Sequence, residues 1–367
     1  MTRTTPIRRH AITPPVFGRE KLHRQRLVEI LKANLDRRLI LVIAPAGYGK
    51  TTLMADLTAH SDRPVCWVRV TEHDRDPARL WRVVVESLGA KFRRMRRQLD
   101  ARGLESLPAD KIGAWIGRQI GETGAPPVAL MFDDVHLLGG SSESTALVAG
   151  LIDSLPEHVC CILGGREALE LPLARAVAAN EVLSIGAGDL SFAEDELEAW
   201  LKMDGGGEAS AEMLERLMSE SRGWIAGIQL LRLRGLEALH GSVPSPKELT
   251  FDYFGSEVLG RQSDALQRFA LESSVLPVMT AEAVEAVCRV EDGARWLRLA
   301  VRRGLFLSGT SSSPRTYEYH PLFREFLQKR MEASDSKRAR AAKIRAAKFL
   351  AKRGEAEQAT ELFWEAR

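Results

Sequence analysis

The chain has 367 residues, too many for one ordinary core, so two or three domains are the natural division. Hydrophobic residues make up 45% and charged residues 28%, and the net charge is only +3, so no global basic field argues for direct nucleic-acid binding. The longest apolar stretches, "LILVIAPAG" and "VALMF", fall far short of the roughly 20 residues of a membrane span, and the basic start "MTRTTPIRRH" lacks the apolar core of a secretory signal.

Residues 1–15 carry Arg, Thr and prolines and read as an extended arm. From 39 to 190, short apolar runs alternate with amphipathic segments. The runs at 39–44, 65–70, 128–132, 160–165 and 182–185 are rich in Val, Ile or Leu and bounded by Gly, Pro or charge, which predicts buried strands. Helical patterns such as 77–99 and 143–155 lie between them. This alternation predicts an α/β fold with a parallel sheet and helices on both faces. Cys66, Cys160, Cys161 and Cys288 form no C-x-x-C pair. Buried, reduced thiols and a cytoplasmic location follow.

After residue 190 the strand signals stop. "SFAEDELEAWL" places Ser191 as an N-cap and Glu194 three residues later, a capping box. Helices are predicted at 194–203, 208–221 and 223–239, separated by "MDGGGEAS". Between 250 and 332, helices precede two short strands, 305–308 and 316–319, the pattern of a winged-helix domain. From 335 an Ala/Lys/Arg-rich helix, a stop at Gly354 and a second helix read as the start of a helical repeat. The division is 1–190 (phosphate-loop domain), 191–248 (helical domain), 249–333 (winged helix) and 334–367 (helical arm).

"IAPAGYGKTTL" (43–53) carries the chemistry. Its ending is that of a phosphate loop, with Ala44 where the first glycine of the usual pattern belongs. Such a loop points backbone N–H groups of Ala46, Gly47, Tyr48 and Gly49 at an anion, and the next helix adds its positive end. Lys50 reaches the β- and γ-phosphates; Thr51 holds Mg²⁺ through its hydroxyl, and Thr52 follows. "VALMFDDVH" ends a strand in Asp133, which supports Mg²⁺, and Asp134, which orients a water. "CILGGRE" sets Arg166 at the ligand-binding edge of the sheet, where it can sense a γ-phosphate.

"PPVFGRE" (14–20), "APAGYGKTT", "LMFDDVHLL", "GWIAGIQLL" (223–231) and "HPLFREFL" (320–327) occur in that order. The series resembles the STAND class of signal-transducing P-loop ATPases, and among them the MalT-type large ATP-binding regulators of the LuxR family. The resemblance implies that Phe17, Gly18 and Arg19 cover the base and ribose. It also implies that His320 reaches the β-phosphate of ADP and clamps a closed, inactive form. The alternative for His320 is a plain N-cap before Pro321. On this reading the chain is an ATP/ADP switch that uses Mg²⁺, in which ADP holds it closed. An inducer acts through a missing sensor region, ATP favours self-association and slow hydrolysis resets the state. DNA is reached only through a missing effector domain, and no membrane is involved. The chain then reads as a fragment of a longer one.

The likeness is incomplete. Ile225 stands where relatives carry Ala or Pro, and Gly165 where a serine is common. The rival reading is an AAA+-type ATPase whose turnover drives remodelling or loading. Such engines want a glutamate at the place of Asp134, whose shorter side chain predicts slower chemistry. The basic run 91–102 reads as a solvated face. Helix 295–304 offers few polar groups to base edges, so it is expected to pack against the ATPase core. The histidines show no metal-ligand spacing.

Overall fold

In the computed structural model, residues 9–17, 21–92, 107–124, 126–203, 210–232, 246–309 and 315–366 are described. The chain divides into two compact units. The first comprises Met1–Ala44, Tyr48–Ser191 and Asp195–Glu208; the second comprises Pro45–Gly47, Phe192–Glu194 and Ala209–Arg367.

The first unit is built on five parallel strands: β1 (Leu39–Ile43), β2 (Val65–Arg69), β3 (Val128–Asp133), β4 (Val159–Gly165) and β5 (Val182–Ile185), in the order β2-β3-β4-β1-β5. Every residue of β3 and β4 is buried, as a sheet covered on both faces requires. Leu39, Val68, Leu130, Phe132 and Leu163 form one core with residues of the helices α3 (Pro77–Lys91), α4 (Ala109–Glu122) and α5 (Ser142–Asp153). The residues between them, among them Ile40, Val42, Met131 and Ile162, are equally buried. Their two-residue period turns them to the opposite face. There Thr58 of α2 (Lys50–His60) donates to Met131 Sδ at 3.7 Å. Helix α1 (Gln25–Ala33) precedes β1.

The strands lie within a residue or so of their sequence-based bounds. The helix expected over 77–99 begins at Pro77, with Asp76 accepting from the Ala78 N–H, and its helical span ends at Lys91. Most of the basic run 91–102 lies outside the described residues. Helix α4 is not among the helices singled out by pattern, and it contains Gly113 and Gly117. These are close-approach positions: a Cβ on Gly113 would lie 2.0 Å from the Leu147 carbonyl oxygen of α5.

Further along, α6 (Ala174–Ala178) and α7 (Ala187–Leu190) precede α8, which spans the expected Glu194–Met203. Its capping box is not formed. The Ser191 hydroxyl donates to the Ala187 carbonyl at 3.0 Å, because Ser191 ends α7. Buried Arg24 ties this region down, donating to Leu190 O at 2.6 Å, Ser191 O at 2.9 Å and Glu196 Oε2 at 2.6 Å.

The second unit is helical. It contains α9 (Ala211–Ser221), α10 (Ile225–Arg232), α11 (Pro246–Tyr253) with a π-helical turn over Phe254–Leu259, α12 (Asp264–Ser273), α13 (Ala281–Cys288) and α14 (Gly293–Arg302). The hairpin follows as β6 (Leu307–Gly309) and β7 (Tyr317–Tyr319), paired antiparallel, with a bridge from Met279 to Tyr317. Within this unit α14 buries Leu297 and Ala300, and Trp296 stacks on Phe269 at 5.2 Å. Helices α15 (Pro321–Ser334), α16 (Ser336–Lys352) and α17 (Ala356–Glu365) close the chain, with Lys343 bridging Glu332 at 2.8 Å and Glu365 at 3.1 Å. Cys66, Cys160 and Cys161 are buried and Cys288 partly so; all four are free thiols, and burial pushes Cys66 and Cys160 up to about 12. Among the described residues, no helix is long and apolar enough to cross a membrane.

Candidate nucleotide site

Parallel register decides where the site lies. Ile43 pairs with Gly165 and Phe132 with Leu163. The loop after β1, Asp133 at the end of β3 and Arg166 after β4 therefore leave the sheet at one carboxyl edge, where open α/β sheets take ligands. Gly47 and Gly49 adopt φ of +82° and +75°, a left-handed backbone that favours glycine. Helix α2 starts at Lys50, with the Leu53 N–H reaching Gly49 O at 2.8 Å.

The charged residues converge. The Thr51 hydroxyl donates to the Asp133 carboxylate, 3.0 Å from each oxygen. Lys50 is buried, and burial lowers its ammonium to about 8; the Arg166 cation adds to that shift, while Asp134 and Asp133 oppose it. Asp133 is pushed up to about 6, first by burial and then by the neighbouring Asp134 charge, against the Thr51 hydrogen bond, the Arg69 cation and the Asp134 N–H. Asp134 sits at φ +62°, its Oδ2 3.8 Å from Arg69 Nε. Lys50, Thr51, Asp133, Asp134 and Arg166 are thus one constellation. The donor set suits Mg²⁺, which takes hydroxyl and carboxylate oxygens.

Gly165 has a packing reason: a Cβ there would stand 2.9 Å from Val135 Cγ2. Phe17 and Thr52 line one cavity of about 390 Å³ with Pro14, Pro15, Lys21 and Ala55. Lys21 Nζ lies 5.7 Å from the Phe17 ring centre. Gly18 and Arg19 lie outside the described residues. A further cavity beside Arg38 and Glu181 borders the start of β1, at the far end of that strand from the loop.

Ala46 and Tyr48 are buried. In the second unit, Ala46 O accepts from Trp224 Nε1 at 3.1 Å and Gly47 O accepts from the Ala226 N–H at 3.1 Å. His320 occupies the N-cap of α15, but its imidazole makes no capping bond. It is buried, and Nε2 donates to Ser221 O at 2.6 Å. Nδ1 has no partner among the described residues. Burial lowers this imidazole to about 4; the Arg222 charge lowers it further and the Ser221 bond opposes both.

Sequence reasoning overlooked Trp224, whose partners are some 180 residues away, and the group His23, Asp56 and His60. The Asp56 carboxylate lies 2.9 Å from His23 Nδ1 and 3.1 Å from His60 Nδ1. Asp56 and His60 are one turn apart on α2, the one part of this group that spacing could have offered.

Two family models match separate parts of the chain. Residues 33–168 match the family described as "AAA domain", and residues 255–339 match "MalT winged helix domain". The chain is thus similar to P-loop ATPases in its sheet domain and to MalT-type regulators in its winged helix. This MalT-like chain is 28% identical over 349 residues to the serine/threonine-protein kinase PknK of Mycobacterium tuberculosis, covering 90% of the chain and 30% of that protein. It is 26% identical over 338 residues to the HTH-type transcriptional regulator MalT of Cronobacter sakazakii, covering 88% and 36% respectively. The chain therefore spans about a third of the length of these curated relatives. Among solved structures, a Walker-type ATPase of Pyrococcus abyssi shares the fold, with a TM-score of 0.54 and 14% identity over 83% of this chain and 95% of that one.

Proposed function

We propose that the chain is the nucleotide-operated switch of a larger regulator. The observation that carries this is the constellation at the sheet edge: Thr51 bonded to Asp133 beside a buried Lys50. Thr51 and Asp133 would hold Mg²⁺, and Mg²⁺ would neutralise phosphate charge there. Lys50 and the loop N–H groups would bind the phosphates of ATP or ADP. Phe17, Gly18 and Arg19 would cover the base, and Arg166 would sense the γ-phosphate. Asp134 would orient water slowly, its side chain being short.

His320 is proposed as the group that favours ADP. With its proton on Nε2 toward Ser221, Nδ1 carries a lone pair. To hold a phosphate oxygen, Nδ1 must gain a proton, and the ring then donates at both ends. A ligand shifts a conformational equilibrium only by its differential affinity. Moving from 1:99 to 99:1 takes about 5.5 kcal/mol.

The relatives favour a control module. One stretch is shared with a protein named as a kinase and another named as a transcriptional regulator. A part common to different outputs suits control of an output more than the output itself. The proposed division is 1–190 nucleotide-binding, 191–248 helical, 249–333 winged helix and 334–367 the start of an arm, in a cytoplasmic protein. Inducer sensing, self-association in the ATP state and any contact with DNA belong to the larger protein in this scheme.

The test is nucleotide retention. Lys50→Ala abolishes it, whereas His320→Ala weakens ADP selectively. Equal loss of ADP and ATP affinity in His320→Ala removes the clamp from the scheme.

A further inference from the structure

Trp224 is fully buried where the chain enters α10. Its indole N–H and the backbone N–H of Ala226 hold the carbonyl oxygens of Ala46 and Gly47, each at 3.1 Å. The Ala226 N–H belongs to the first turn of α10, whose N–H groups have no acceptor within their own helix. Pro45–Gly47, the front of the phosphate loop, clusters with this unit.

A trans peptide points its C=O and the following N–H in opposite directions. Holding the Ala46 and Gly47 carbonyls on one side therefore turns the N–H groups of Gly47 and Tyr48 to the other. Those are groups that a phosphate loop aims at its anion. The approach is close enough to demand a glycine, since a Cβ on Gly47 would stand 2.6 Å from both Ala226 Cβ and Trp224 Nε1.

Trp224 also joins an aromatic cluster. It stacks on Phe254 at 5.2 Å and meets Phe306 edge-on at 5.0 Å and His320 edge-on at 5.8 Å. Phe306 sits at φ +52°, a strained conformation for a bulky residue, and its carbonyl accepts the His320 N–H at 2.8 Å.

We infer that Trp224 is a positioning residue for nucleotide binding: with Ala226 it braces the phosphate loop from behind, and its ring contacts tie that brace to Phe306 and His320 of the winged helix. The ligand class is a nucleoside di- or triphosphate, so the inference rests on the nucleotide reading above. It differs from the His320 clamp, because the coupling runs through loop backbone and needs no imidazole–phosphate contact.

Trp224→Phe keeps a ring among Phe254, Phe306 and His320 while removing the donor. On the 367-residue chain, calorimetry gives the affinities for MgADP and MgATP. The Trp224 indole N–H resonance, assigned by its absence from Trp224→Phe, is followed as MgADP is added. Affinity for both nucleotides should fall about tenfold, the loss of one buried hydrogen bond, and the wild-type resonance should move. Should Trp224→Phe fail to fold, Trp224→Met removes the indole donor with a side chain that adapts to the same space, and the same joint loss is expected. Unchanged affinities in a folded variant overturn the brace, while loss of binding in Lys50→Ala keeps the nucleotide reading. A wild-type chain that binds neither nucleotide overturns both.

Discussion

Asp133 and Lys50 are charged at pH 7 in a place that disfavours charge. Burial moves Asp133 up to about 6 and Lys50 down to about 8, so each ion costs the fold about 3 kcal/mol. For Asp133 the folded value lies above the unfolded one, so stability rises as pH falls from about 6 toward 4. Asp133→Asn keeps an acceptor for Thr51 and removes the charge. Calorimetric melting should show this variant more stable than the parent without ligand, and no longer stabilised by Mg²⁺ with ADP. A less stable variant would contradict this account of the site. His320 runs the other way. Its folded value, about 4, lies below the ordinary 6.5 of histidine, so its contribution is intact above 6.5 and is lost as pH falls toward 4, by about 3 kcal/mol. Denaturant titrations of parent and His320→Gln at pH 7 and pH 5 should show a smaller drop in the variant. If an ADP phosphate adds a proton to Nδ1, ADP affinity should rise between pH 7.5 and pH 6 in the parent and change less in His320→Ala.

At the scale of elements, the strands were legible because each is a short apolar run cut off by turn residues, and parallel sheets bury both faces of such runs. The phosphate loop was legible because its residues are contiguous, and Asp133 because it ends a run. Helix α4 was not, since its glycines serve contacts with α5 that pattern cannot display. The capping box at Ser191 failed because α7 claims that serine first. Trp224 and the His23–Asp56–His60 group depend on distant partners and were invisible for that reason. Arg24 is similar: four donated hydrogen bonds bind the start of α1 to Leu190, Ser191 and Glu196. Arg24→Met removes the closest cation from buried Glu196, with the more exposed Arg26 at 3.5 Å. Unfolding should then cost about 3–5 kcal/mol less, and pairing the change with Glu196→Met should recover part of the loss. Denaturant midpoints of the single and double variants measure both.

At the scale of the molecule, the defining feature is the phosphate loop, residues 43–53. An engine and a switch can both use such a loop. The short Asp134, held near Arg69, and the shared stretch in relatives of different output favour the switch. The most direct measurement is the nucleotide content of the purified chain, set beside its turnover of ATP. A switch should retain close to one equivalent of ADP and turn over ATP far below once per second, slow against ordinary enzymes. A chain that purifies without nucleotide and hydrolyses ATP many times per second would contradict the switch.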